Sequence, residues 1–357
     1  TRFGILKGTL QLAVLLAFWF AGGFDALDRV VRAWSFGPVI AGVAYLGIIA
    51  AGYMVFTLPF GIYGTFVVEQ RYGFNRTTPA VFIADRAKGL ALSVVLGVPL
   101  LAGVLAIFSY GGMFAWIYCW AAVTAVSLGI QFVAPTWIMP WFNKFKPMEP
   151  GELKDAILRY ADTVDYHLDN VYVMDGSKRS TRSNAFFTGF GRNKRIVLFD
   201  TLIADHTVPE LVAVLAHEIG HYKKRHVAIG TVFGIAHTGI LFFLFSLFLS
   251  AGGLYQAFGV QQSVYAGLMF FGLLYTPIEL ALSVAMQAFY RHNEYQADRF
   301  AVTTIDDAGR LEDALKKLSV KNLSILSAHT LYDFLNYSHP PLLQRIEAIR
   351  KTKRGDQ

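Results

Sequence analysis

The chain has 357 residues, 54% of them hydrophobic and only 16% charged, with a net charge of +7 and a mean hydropathy of +0.43. Soluble domains carry about one quarter charged residues, so the composition excludes a water-soluble globular protein and describes one that lives in a bilayer. The single cysteine, Cys119, excludes a disulfide framework and a cysteine-rich metal site, which leaves histidine and carboxylate to hold any metal.

The chain opens at Thr1, and 5–20 lacks the cleavage-site chemistry of a secretory signal, so the start reads as that of a trimmed or processed product. A hydrocarbon core about 30 Å thick requires about 20 apolar residues per crossing. Without water to bond to, the backbone there must be helical. Six stretches meet this test, at 5–22, 39–66, 89–109, 113–133, 228–250 and 264–289. Pro59 and Pro99 inside them are expected to kink the helices rather than end them. The second and sixth stretches exceed one crossing and are expected to tilt or project.

Six crossings put the amino terminus, 67–88, 134–227 and the carboxyl-terminal tail on one face. Of the 32 lysines and arginines only Arg29 and Arg32 fall on the other face, so the positive-inside rule makes the first face cytoplasmic, in an endoplasmic-reticulum-type or bacterial inner membrane. Topology then accounts for the charge and no nucleic-acid partner is expected. The basic stretch 350–354 is placed to meet anionic lipid.

Between the fourth and fifth stretches the pattern turns soluble. Residues 151–165 carry Leu153, Ile157, Leu158 and Ala161 at amphipathic helical spacing. Three strands follow, at 171–174, 184–188 and 195–199, the last two separated by a glycine-containing turn at 189–194, and a small antiparallel sheet is the expected result. Pro209 and Glu210 then open a helix that carries Leu211, Val212, Val214 and Leu215 into His217-Glu218-Ile219-Gly220-His221. No internal repeat or low-complexity linker appears.

That pentapeptide spells H-E-x-x-H. Residues four apart share a helix face, so both imidazoles can reach one cation while Glu218 lies alongside. A catalytic zinc needs a third protein ligand and one position left for water, and Glu294 at the end of the last apolar helix can supply the ligand. Asp298, one turn further on, is placed to orient a ligating histidine. Zinc brings the pKa of its water towards about 7, and Glu218 can act as general base in attack on a peptide carbonyl. An isolated Glu-His-His group at a membrane boundary would be costly without a cation. The plainer alternatives are a Glu294 paired with Arg291 or Arg299, and an Asp298 in a surface salt bridge.

His339 stands in Ser338-His339-Pro340-Pro341, where the prolines fix its loop, and both a transition-state hydrogen bond and a surface turn suit it. His226 and His237 read as structural or interfacial, and His167, His206 and His329 as solvated. Asn184 and Ala185 open the strand 184–188, which is either an edge for a substrate strand or a structural hairpin. One zinc ion per chain, a membrane-associated peptide or protein substrate and the lipid bilayer are the partners implied, and no obligate protein partner is evident. The organisation expected is 1–133 with the first four crossings and the cytoplasmic loop 67–88, 134–227 as a protease segment with its hairpin and zinc-motif helix, 228–290 with two further crossings, and 291–357 with the third ligand and the rest of the protease unit.

With these residues in view the chain resembles the type I CAAX prenyl endopeptidases, integral-membrane zinc proteases that trim prenylated proteins. The likeness extends over nearly the whole chain: Glu69 with Tyr72-Gly73-Phe74-Asn75, Asn143-Lys144-Phe145, Gly176-Ser177-Lys178-Arg179-Ser180, Ser183-Asn184-Ala185, the stretch 193–202, the H-E-x-x-H motif, Glu294-Tyr295-Gln296-Ala297-Asp298, and Ser338-His339-Pro340-Pro341-Leu342-Leu343 with Arg345. The resemblance implies zinc on His217, His221 and Glu294, Glu218 as base, His339 and Arg345 lining the site, Asn184 holding the substrate strand and Asp298 as a buttress. It also implies six to seven spans around an intramembrane chamber, closed on the cytoplasmic side by the protease elements. The fold class expected is therefore a mainly α polytopic membrane protein with a small antiparallel sheet in a cytoplasmic zinc-protease unit. Two departures stand out: six crossings where the family has seven, implying that a first one is missing, and no acidic insertion before the zinc helix. A prenyl tail, at about 0.8 kcal/mol per buried methylene, needs an apolar environment beside the metal. Phe242, Phe243, Phe245, Phe270 and Phe271 are candidates to line it, or else face lipid. The alternatives in function are a broad quality-control protease of the membrane, and a binding protein or channel with structural zinc.

Overall fold

The computed structural model describes residues 2–168, 171–188, 195–326 and 329–355. In chain order the helices are α1 (Arg2–Phe20), α2 (Gly23–Ala33), α3 (Pro38–Tyr63), α4 (Pro79–Leu92), α5 (Val98–Tyr110), α6 (Ala115–Val133), α7 (Glu152–Thr163), α8 (Asp200–Asp205), α9 (Val208–Lys223), α10 (His226–Phe248), α11 (Gly252–Ala257), α12 (Val264–Leu274), α13 (Thr276–Thr304), α14 (Gly309–Lys321), α15 (Thr330–Asn336) and α16 (Leu342–Gly355). Four strands, β1 (Phe145–Pro147), β2 (Val171–Met174), β3 (Ala185–Thr188) and β4 (Arg195–Phe199), complete the set. The chain divides into two compact units, one of residues 1–69, 83–127 and 234–277, the other of 70–82, 128–233 and 278–357.

Five helical runs among the described residues are long and apolar enough to cross a bilayer: Arg2–Phe20, Pro38–Glu69, Pro79–Tyr110, Gly112–Trp141 and His226–Phe248. The broken pair α12 and α13 makes a sixth if taken as one crossing. The third begins ten residues before the sequence places it, at Pro79 rather than 89, because α4 and α5 join through a π-helical turn, Ser93–Gly97. That turn lies just before Pro99, whose ring crowds the carbonyl one turn earlier, and the extra residue of a π turn widens the helix there. Pro59 stays inside α3.

In the first unit the segment 23–38, between the first two apolar stretches, contains the amphipathic helix α2. It buries Phe24, Asp28 and Val31, the i, i+4, i+7 spacing of one helix face. Asp28 accepts from Tyr265 Oη at 2.5 Å and from Arg32 Nε at 2.8 Å, so this buried carboxylate is paired. Phe258 stacks on Phe270 at 3.9 Å between ring centres, with Phe24 edge-on at 5.4 Å to Phe270. Phe242, Phe245, Phe270 and Phe271 are all buried in this packing, so of the five phenylalanines offered for a chamber wall only Phe243 is exposed.

The second unit carries the sheet, in the order β1-β2-β4-β3. It is mixed, and the expectation of a purely antiparallel sheet is corrected here: β2 and β4 run parallel, with Val171 opposite Ile196, while β1 with β2 and β3 with β4 are antiparallel. The reason is the path after β2, which passes to the far edge before the β3–β4 pair brings β4 back between β3 and β2. The turn expected at 189–194 lies outside the described residues. β1 was missed by the sequence reading, and Pro147 suits it because β1 is an edge strand. The segment 70–78 is pinned to 176–182, with Arg76 N donating to Arg179 O at 3.0 Å and Thr181 N to Phe74 O at 3.1 Å. Beneath the sheet lies a core that includes Ile157, Ile196, Leu198, Leu211, Leu215, Ile219, Ala301 and Leu311. Each fully buried leucine or isoleucine contributes about 1.5–3 kcal/mol.

Candidate metal centre

α9 begins at a capping box in which Thr207 N donates to Glu210 Oε2 at 2.8 Å and the Thr207 side chain accepts from the Glu210 backbone. Glu210 also meets Lys317 Nζ of α14 at 2.7 Å, which fixes the entry of the helix. Burial disfavours the charged Glu210 carboxylate, but the Lys317 hydrogen bond and those of Thr207 outweigh it and hold the group below the usual carboxylate range. From this anchored start α9 runs through the core on Leu211, Val214, Leu215 and Ile219, presenting His217 and His221 on another face. Gly220 lies against α13: a Cβ there would stand 3.1 Å from both Cα and O of Ala297. At so close an approach a larger residue would require the neighbouring backbone to give by a few tenths of an ångström.

That approach sets Glu294 opposite the two imidazoles. His217 Nε2 and His221 Nε2 are 3.1 Å apart, His221 Nε2 is 3.3 Å from Glu294 Oε1, and His217 Nε2 is 3.5 Å from Glu294 Oε2. Ligands about 2.0–2.1 Å from a tetrahedral centre stand about 3.3 Å from one another. The three spacings bracket this value. Glu294 Oε2 is moreover buried without a hydrogen-bond partner, its nearest positive charge being Arg345 Nη1 at 3.4 Å, so it keeps lone pairs for a closer cation. Nitrogen, nitrogen and oxygen donors at these distances fit zinc, and His217, His221 and Glu294 are the cluster able to hold a metal among the described residues.

Around the three donors the other residues singled out from the sequence come together. Asp298 is 2% exposed and lies 2.9 Å from His217 Nδ1, so it orients that ring and is no surface salt bridge. Arg345 grips Asp298 with two hydrogen bonds, Nε to Oδ2 at 2.8 Å and Nη2 to Oδ1 at 2.6 Å, while its Nη1 lies 3.4 Å from Glu294 Oε2. His339 is two-thirds exposed, its Nε2 3.3 Å from Glu294 Oε1 and its Nδ1 2.9 Å from Ser338 Oγ. Glu218, partly buried on the motif helix, has a carboxyl lifted by burial, with His217 and His221 pulling the other way. Asn184 is exposed at the start of β3 and Ala185 is buried in the core, which leaves the latter only its main chain to offer a ligand. A cavity of about 550 Å³ in this unit is lined by Asn184, Tyr337, Ser338, His339, Leu342 and Arg345 among others.

One histidine differs from the sequence expectation, and His226, expected to be structural or interfacial, is buried. His206, expected to be solvated, is 8% exposed because it ends α8 and its Nδ1 bonds Leu202 O at 3.1 Å. His226 is 6% exposed and touches the centre itself, its Nδ1 3.0 Å from His221 Nδ1. Its only sequence signal was its place five residues after His221.

Helices long and apolar enough to span a bilayer, with a two-histidine, one-glutamate donor set beside a free glutamate, define an integral-membrane metallopeptidase. Residues 1–144 match the family described as CAAX prenyl protease N-terminal, five membrane helices, and residues 147–353 match Peptidase family M48. The chain is 39% identical to a CAAX prenyl protease 1 homolog of Arabidopsis thaliana, covering 92% of this chain and 75% of that one, and 38% identical to CAAX prenyl protease 1 of Saccharomyces cerevisiae, covering 89% and 74%. The crystal structure of S. mikatae Ste24p superposes with a TM-score of 0.91 at 35% identity, over 98% of this chain and 86% of that one. The chain belongs to the M48 peptidases of the CAAX prenyl protease family. It is a multi-pass membrane metalloendopeptidase, which removes the reading as a non-enzymatic channel or binding protein.

Proposed function

We propose that this chain holds one zinc ion on His217, His221 and Glu294 and cleaves a peptide bond near the carboxyl end of prenylated CAAX-type proteins, or of related membrane peptides, on the cytoplasmic face. The observation that carries the reading is the set of 3.1, 3.3 and 3.5 Å spacings among the three donors, with Glu218 on the same helix. Zinc bound there supplies Lewis acidity, polarising the scissile carbonyl and making water acidic enough to lose a proton near neutrality. Glu218 takes that proton and returns it to the leaving amine. His339, exposed beside Glu294, donates a hydrogen bond to the oxygen on which charge develops. Asp298 holds the His217 ring, and Arg345 holds Asp298 while facing the cavity.

Substrate orientation follows from the sheet. β3 pairs only with β4, so its outer edge is open among the described residues, and an extended peptide can add there beside Asn184 and Ala185. The cavity lined by Asn184, His339 and Arg345 then receives side chains of the bound strand. Orientation towards the cytoplasm is supported by the confinement of Lys and Arg, with two exceptions, to the face that carries these elements.

Matched peptides with and without the prenyl group, assayed with the wild-type chain and with Glu218→Ala after metal analysis, test this reading. Expected are zinc near one equivalent in both proteins, turnover about 10²–10⁴-fold lower in the variant, and clear preference for the lipidated peptide. Full activity in Glu218→Ala overturns the mechanism, and equal turnover of the two peptides favours a broad quality-control protease.

A further inference from the structure

Each imidazole that ligates a metal has one nitrogen for the cation and one for the protein, and the partner of the second nitrogen fixes the tautomer and tilt of the ring. For His217 that partner is Asp298. For His221 it is another imidazole, His226, with Nδ1 facing Nδ1 at 3.0 Å. Such a contact requires one donor and one acceptor. With Nε2 of His221 committed to the metal, its hydrogen sits on Nδ1, and His226 Nδ1 must accept it. The hydrogen of His226 then sits on Nε2, and Gln296 Oε1 lies 3.1 Å from that atom as an acceptor. Gln296 Nε2 is left to donate to His292 Nε2, at 2.8 Å. A single direction of donation thus satisfies three successive contacts from the half-buried His221 out to an exposed histidine.

The backbone brings this about. On an unbroken helix residues five apart point about 140° away from each other. Arg225, with φ +59°, separates α9 from α10 and turns His226 back beside His221. Gln296, two residues after the ligand Glu294 on α13, meets it there. The centre is therefore supported in two different ways, a carboxylate behind His217 and a neutral relay behind His221.

We propose that His226 and Gln296 are positioning residues that hold His221 in its ligating tautomer; this rests on the metal site described above. The test is Zn²⁺ affinity of the full-length chain in detergent, by competition with a chromophoric chelator, alongside circular dichroism of the metal-free protein. His226→Leu and Gln296→Leu are expected to weaken zinc about 10–100-fold with unchanged helicity. His226→Asn, whose amide oxygen falls near the accepting nitrogen, and Gln296→Glu are expected to stay within a few-fold of wild type. The visible bands of the Co²⁺-loaded chain should move in the leucine variants only. If His226→Leu does not fold, the Gln296 pair decides. Wild-type affinity in a folded leucine variant, or an Asn variant as weak as its leucine counterpart, overturns the relay while leaving the metal site standing. A wild-type chain that binds no zinc overturns both.

Discussion

At the scale of single residues the centre is a set of mutually dependent charges. Asp298 accepts from His217 and from two nitrogens of Arg345 while scarcely exposed, so the acid has no water to fall back on. Breaking a buried pair from one side costs about 3–5 kcal/mol, and losing the partner of a ligating histidine weakens metal about 10–100-fold. Asp298→Asn is therefore expected to lower both the unfolding temperature and zinc affinity, read by thermal melts and chelator competition. An effect on neither would mean that the pair is idle. The cluster of His217, His221 and Glu294 was legible from sequence because H-E-x-x-H fixes two donors by helical spacing and Glu294 follows an apolar stretch, within the longer helix α13. Arg345 carried no such signal and entered only through resemblance, and His226 was read as structural because its role depends on a helix break with no glycine or proline to announce it.

At the scale of elements, the contact between α9 and α13 is the one that assembles the site. A methyl group at Gly220 meets Ala297 backbone atoms, which cannot swing aside as a side chain does. Gly220→Ala is expected to push the helices apart, costing about 1–3 kcal/mol and weakening zinc, as measured by melts and titration together. At the other end of α9, Glu210→Gln keeps the cap and removes the ion pair with Lys317. Because the folded pKa of Glu210 is depressed, its stabilisation is complete above the unfolded value of about 4.3 and disappears as pH falls through the folded one. The stability gap between wild type and Glu210→Gln, about 1 kcal/mol or less, should be open at neutral pH and closed in acid. A gap independent of pH excludes the charge as its cause. Four of the long apolar helices match their hydropathy closely, while the third starts ten residues earlier, at Pro79, and the sixth stretch is the bent pair α12 and α13. α2 leaves no such run, because its signal is the single buried face of Phe24, Asp28 and Val31. The parallel pairing of β2 with β4 had no local trace at all, since it depends on where the chain travels between strands.

At the scale of the molecule, the second unit holds α9 and α13 together by a core that does not involve the donors. Chelation is thus expected to abolish peptidase activity while far-UV circular dichroism remains, with the unfolding temperature lowered by the lost binding energy, about 4 kcal/mol at a thousandfold excess over Kd, and restored by added Zn²⁺. Collapse of helicity on chelation would instead assign the metal a structural role. The order of the donors along the chain has a further consequence in time. His217 and His221 leave the ribosome well before Glu294, and Arg345 emerges later still, after the long apolar runs found among the described residues. A nascent chain therefore carries two of the three donors past its neighbours in the bilayer without the means to cut them, and proteolytic competence waits until Glu294 and Arg345 have been made.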